Sequence, residues 1–197
     1  MAKLQDLITS RVRVKLLSLF YSHPSELYYI RETTRAVNEE INAVRRELIK
    51  LTDVGVLFCE NRGNRQYYGI NKKYVFFPEL QQMVFKEQGL GKKIRRLRRK
   101  LGNIEYVVFT KYFYNREPKS QNLDILIVGE VVVPELEILI KEEEKNIGRE
   151  INFTILDQKE FKFRKQRRDP FVMEIIYGKR IMILGDEEEF VERGQFI

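Results

Sequence analysis

Residues Ile30 to Ile70 restrict the fold more than any other stretch of this 197-residue chain. The segment Ile30-Arg-Glu-Thr-Thr-Arg-Ala-Val-Asn38 carries Ile30, Thr33, Thr34 and Val37 at helical spacing, which leaves one face to bury. Asn38 comes where a tight turn needs a left-handed residue, and asparagine tolerates that backbone better than most. In the next segment, Glu39 to Leu51, Ile41, Val44, Leu48 and Leu51 fall on one helical face. Asn42, Arg45, Arg46 and Lys50 fall on the other. Gly55 is placed to stop this helix. Val56–Glu60 and Gln66–Ile70 then read as two short strands, and the connector Asn61-Arg-Gly-Asn-Arg65 has hairpin-loop chemistry with two cations at its tip.

Two short helices, a tight turn and a hairpin make a winged helix-turn-helix. The stretch resembles the ArsR-like family of transcription regulators, down to Arg31-Glu32 and Asp53-Val-Gly-Val-Leu57. That resemblance implies that the second helix enters the major groove and the hairpin wing touches the flanking backbone. The side chains suit the task, because Arg and Asn reach base edges well. The expected DNA-binding residues are Asn42, Arg45, Arg46 and Lys50 on the helix, with Arg62 and Arg65 neutralising phosphates. The competing reading is that these cations only solvate a helix and a turn.

Composition narrows the alternatives. Hydrophobic residues make up 43% of the chain, which argues against wholesale disorder. No apolar run approaches membrane-spanning length, and Met1-Ala-Lys-Leu-Gln-Asp has no signal-peptide apolar region. Cys59 is the only cysteine, so an intramolecular disulfide and a cysteine metal cluster are both excluded, which fits a cytoplasmic location. His23 is the only histidine, which excludes a multi-histidine metal site and argues against Ser-His-Asp catalysis. The net charge of +7 is uneven. Residues 1–101 hold 21 Lys and Arg against 10 Asp and Glu, a net +11, while residues 102–197 hold 15 against 19, a net −4. A polyanion partner is therefore expected for the first half.

Elsewhere the pattern is a succession of short elements. Ser10 can cap a first helix running to about Tyr21, with Val14, Leu17 and Phe20 as its buried face. Pro78-Glu79 opens a helix to Lys86, Gly89 and Gly91 interrupt, and Lys92–Leu101 forms another helix with the stripe Ile94, Leu97 and Leu101 among seven cations. Those cations read as a solvated face, a second DNA-backbone contact, or a surface for an acidic protein or RNA. Beyond Gly102, strands are expected at Glu105–Thr110, Leu123–Val128, Glu150–Leu156 and Arg180–Leu184. Helices are expected at Pro134–Asn146, from Asp157 to about Arg168, at Pro170–Tyr177 and from Asp186 to Arg193. The expected fold class is α+β: a winged helix-turn-helix at residues 1–75, linker helices at 76–101, and an α/β domain with a mixed sheet at 102–197.

That last domain resembles the minimal nucleotidyltransferase family, of polymerase-beta type, over about Asn103 to Gly185. The family places Gly-Ser after its first strand, an Asp-x-Asp pair at the second, and a third carboxylate on a later strand, together holding two divalent metals. This chain has Thr110-Lys111 in place of Gly-Ser, Asn122-Leu123-Asp124 in place of the acid pair, and Asn152 as the match for the third carboxylate, with Glu150 two residues away. The expectation is a fold without the activity: no metal, no cofactor, and a vestigial nucleotide site at Thr110, Lys111, Asn122, Asp124 and Asn152. In this reading Asp124 is a structural remnant. The alternative is a one-metal or nucleotide-binding pocket using Asp124 and Glu150.

The expected function is sequence-specific regulation of transcription by a homodimer on double-stranded DNA, with the second domain for sensing a nucleotide effector, binding a protein partner or dimerisation, and no membrane. The alternatives are a nucleotidyltransferase acting on protein or RNA, and an antitoxin-like partner-binding protein.

Overall fold

The computed structural model describes residues 4–115 and 122–192. The chain is α+β and divides into two compact units, residues 1–87 and 88–197.

In the first unit, α1 (Leu4–Leu7) and α2 (Arg11–Ser22) precede a two-residue strand β1 (Tyr28–Tyr29). Ser10 caps α2, its side chain accepting from the Arg13 N–H at 3.2 Å. The helices α3 (Ile30–Val37) and α4 (Ile41–Asp53) follow. Asn38 ends α3 with φ 49° and ψ 61°, so the left-handed residue expected from the turn is present. Gly55, at φ +80°, ends α4 in the conformation that glycine adopts at least cost. The hairpin β2 (Leu57–Arg62) and β3 (Arg65–Ile70) pairs up to Arg62 opposite Arg65. Its connection is therefore Gly63-Asn64, shorter than the expected five-residue loop, and both arginines sit at the last rung. The sheet order is β1-β3-β2, all antiparallel. Val14, Leu17 and Phe20 of α2, with Val44, Leu48 and Leu51 of α4, make the core with the sheet. The helix α5 (Phe77–Glu87) closes this unit, burying Val84.

The second unit begins with α6 (Gly89–Leu101). The helix starts at Gly89 rather than Lys92. Gly91 continues it, because Leu90 and Gly91 extend the buried stripe of Ile94 and Leu101 by a turn. The stretch 76–101 thus divides between the units, α5 in the first and α6 in the second. A four-stranded sheet follows in the order β6-β5-β4-β7, built from β4 (Gly102–Thr110), β5 (Ile125–Val131), β6 (Phe153–Leu156) and β7 (Arg180–Leu184). β4 is antiparallel to β5 and β7, and β5 is parallel to β6, so the sheet is mixed as expected. Gly129 lets β4 approach: a Cβ there would lie 2.4 Å from the Asn103 carbonyl oxygen.

Helices α7 (Lys111–Tyr114), α8 (Val133–Ile147), α9 (Gln158–Gln166), α10 (Pro170–Tyr177) and α11 (Glu187–Val191) connect or follow the strands. Asp157 and Asp169 cap α9 and α10 through the N–H groups of Glu160 and Val172. The expected end of α11 at Arg193 lies outside the described residues. β6 begins at Phe153 instead of Glu150, because the backbone before it turns to bind the start of β5. Among the described residues no helix is long and apolar enough to cross a membrane.

Candidate functional site

The outer face of α4 is built from its first turn. Glu40 precedes the helix, and its carboxylate accepts from the backbone N–H groups of Asn42 and Ala43, both at 2.8 Å. Those two backbone bonds hold the Glu40 carboxyl below its ordinary value. Its neighbour Glu39 bridges Lys15 at 2.6 Å and Arg11 at 2.9 Å, fastening the turn to α2. The inner face is then fixed by Val44, Leu48 and Leu51, and by buried Glu47, which accepts from Arg13 Nε at 2.7 Å.

With that face committed, helical geometry turns Asn42, Arg45, Arg46 and Lys50 outward, and all four are exposed. Lys50 lies 3.8 Å from Glu47. Arg45 also borders a concavity of about 600 Å3 shared with Tyr29, Arg31, Ile49, Arg65 and Gln66. Three cations of separate elements, Arg31, Arg45 and Arg65, thus meet on one depression. Asn42, Arg46, Lys50 and Arg62 are not among the residues that line it.

The two wing arginines differ. The Arg65 guanidinium lies over the Tyr29 ring at 4.7 Å from its centroid. That contact restrains the side chain without neutralising it. Arg62 lies over Tyr67 at 5.6 Å and also pairs with Glu60, which offsets its charge. Sequence reasoning missed Tyr29, Ile49 and Gln66, and took Arg31 only as part of a resemblance. An exposed isoleucine on the polar face of α4 was the available signal for Ile49.

In the second unit, Thr110, Lys111, Asn122 and Asn152 line one cavity of about 590 Å3, together with residues from α10, the turn after it and β7 that include Glu174, Lys179 and Arg180. Sequence separation between them is closed by the sheet: β4 ends at Thr110 beside the start of β5. Asp124 is not on the cavity wall. It is fully buried, and both carboxylate oxygens accept from Arg149, Oδ1 from Nη2 and Oδ2 from Nη1, each at 2.8 Å. The Asn152 N–H donates to Oδ2 as well, at 3.0 Å. Arg149 also donates to the carbonyls of Tyr112 and Glu150. The bidentate bond to Asp124 pushes the Arg149 pKa above its ordinary value, against burial, which pulls it down. The Asn152 carbonyl in turn accepts from the N–H groups of Asp124 and Ile125, at 2.8 and 3.1 Å.

This geometry does not fit a two-metal centre. The one acid of the expected set has both oxygens taken by a guanidinium, Asn122 and Asn152 are neutral, and Glu150 is exposed and turns only its backbone carbonyl to Arg149. Among the described residues no three His, Cys, Asp or Glu side chains are grouped so as to hold a metal ion. Arg149 was missed by sequence reasoning, since a single arginine after a helix-ending glycine carries no periodic signal.

No protein-family model matches the chain, and no curated protein matches it. Among solved structures, it is similar to human N-acetylserotonin methyltransferase in complex with SAM, at 10% identity and a TM-score of 0.31, over 60% of this chain and 36% of that one. The chain spans little more than a third of that protein, and a likeness this distant carries no argument about activity.

Proposed function

We propose that residues 1–87 form an ArsR-like winged helix-turn-helix and that the protein is a sequence-specific, DNA-binding regulator of transcription acting in the cytoplasm. The observation that carries this reading is α4: its apolar face is spent on the core, and Arg45 and Arg46 stand exposed with no ion pair of their own among the described residues. Arg45 shares its depression with Arg31 and with Arg65 of the wing, which supports a duplex lying across that surface. Asn42, Arg45 and Arg46 are assigned to base edges and Lys50, Arg62 and Arg65 to phosphates. Two chains bind a near-palindrome, each covering a half-site.

The second unit, in the same reading, is a nucleotidyltransferase-like body of polymerase-beta type without catalysis. The mixed sheet is compatible with that fold, and the Arg149–Asp124 pair supports the loss of activity. Its role is to sense an effector, bind a partner or pair two chains.

Selection of bound duplexes from a random DNA pool tests the proposal. Enrichment of a near-palindrome with half-sites about one helical turn apart, or a multiple, is expected. A pool that stays random after repeated selection would sink it. Incubation with labelled nucleoside triphosphates, Mg or Mn and candidate acceptors tests the second part: label transfer that disappears in Asp124→Asn would restore the enzyme.

A further inference from the structure

The most basic element of the second unit is one helix, α6, with a smaller excess of cations at 159–168. Residues 88–197 hold 22 Lys and Arg against 19 Asp and Glu. Seven of those cations, and no acid, lie in α6, so the remainder of the unit is net negative at 15 against 19. This separation is finer than the half-chain asymmetry, because residues 1–87 carry only 14 against 10.

The packing of α6 sorts its cations into two groups. Leu90, Ile94 and Leu101 are buried, which fixes the rotation of the helix. Lys93 is paired with Glu142 at 2.7 Å, Arg98 donates to the Ile104 carbonyl at 3.2 Å, and Arg95 is half-buried. Lys92, Arg96, Arg99 and Lys100 are exposed and fall on one arc opposite the buried stripe, as a spacing of four, three and one predicts at about 100° per residue. The arc runs about 12 Å along the axis at 1.5 Å per residue.

We infer that this arc is a second contact surface for duplex DNA, made to phosphates and independent of base sequence. Four exposed cations with no ion pair among the described residues, spread over that length, suit a B-form duplex, which presents a negative charge about every 1.7 Å of its axis. No asparagine or glutamine stands on the arc to read a base edge. No aromatic or apolar residue stands there either, so it lacks the anchor that the centre of a protein–protein interface uses. The surface supplies affinity and salt dependence, and it stands apart from the assignment of bases to α4.

The test uses the full chain and a duplex of random sequence, with binding measured by anisotropy across a salt series. In the variant K92Q/R96Q/R99Q/K100Q the slope of log K against log salt should become shallower by about 3–4, each phosphate contact being worth about 0.9. Thermal unfolding should not change, since all four side chains are exposed; if the quadruple variant is less stable, R96Q/R99Q is used, with an expected loss of about 2 in slope. An unchanged slope overturns the inference and hands the arc to an acidic protein. A wild-type chain that binds no duplex overturns it as well. The variant R45A/R46A separates the two assignments: loss of preference for the selected site with the random-duplex slope kept high supports α4 as reader, while no change there, alongside a reduced slope in the α6 variant, leaves the arc and removes the α4 reading.

Discussion

The face of α4 and the start of β5 both carry polar side chains singled out by sequence, and the protein treats them in opposite ways. On α4, acids serve the scaffold: Glu39 ties the turn to α2, Glu40 caps the helix, and Glu47 is buried against Arg13. Arg45 and Arg46 form no ion pair among the described residues, Arg46 adding only a charge interaction to the backbone bonds that lower the Glu40 carboxyl. At β5, the acid itself is consumed: Asp124 is closed off by Arg149 and the Asn152 N–H. A charge kept exposed and unpaired is available to a ligand, while a charge buried in a bidentate pair is committed to the fold. The lesson is that availability is decided by the neighbours of a charged group.

The contrast is open to four perturbations. The largest effect is expected at Asp124. Asp124→Ala leaves the Arg149 guanidinium partly buried without its counter-charge, and urea unfolding should register a loss of about 3–5 kcal/mol. A loss under about 1 kcal/mol would place the pair among ordinary surface ion pairs and dissolve the distinction. Next come Arg45→Ala and Arg46→Ala, each costing about 1–3 kcal/mol on the selected duplex and little on a random one. Arg45 should be the larger, since it alone of the two borders the depression with Arg31 and Arg65; equal losses on both duplexes would mean that neither reads a base. A smaller effect is expected at the wing: Arg65→Ala should lower the salt slope by about 1, and Arg62→Ala by less, because Glu60 already offsets it.

The smallest effect concerns pH and Glu40. Its carboxyl is lowered from 4.5 in the folded chain, so its contribution to stability is fully present above that value and is lost as pH falls through the lower folded pKa. Glu40→Gln should therefore lower the melting temperature at neutral pH and converge on the wild type at acid pH, so that the acid side of its profile is flatter. An identical acid limb in the variant would show that the cap does not act through its charge.

Much of the scaffold was legible because local rules govern it. The spacing of Val44, Leu48 and Leu51 placed the two faces of α4 correctly, Asn38 announced its left-handed turn, and Asp157 announced a helix cap. Elements without enough residues to show a period were not legible, among them the two-residue β1 and the four-residue α7. The start of α6 was misjudged because Gly91 reads as a breaker in isolation and is tolerated when its neighbours pack.

The candidate sites divide along the same line. Outward direction on a helix follows from the 3.6-residue repeat, so the amino-acid order alone settled that Asn42, Arg45, Arg46 and Lys50 leave the core together. Chain folding decided everything that depends on residues distant in sequence: Arg31, Arg45 and Arg65 meeting on one depression, Arg13 reaching Glu47 across 34 positions, and Arg149 closing on Asp124 across 25. Such contacts have no periodicity to read, because they arise where separate elements are brought together by the burial of their apolar faces.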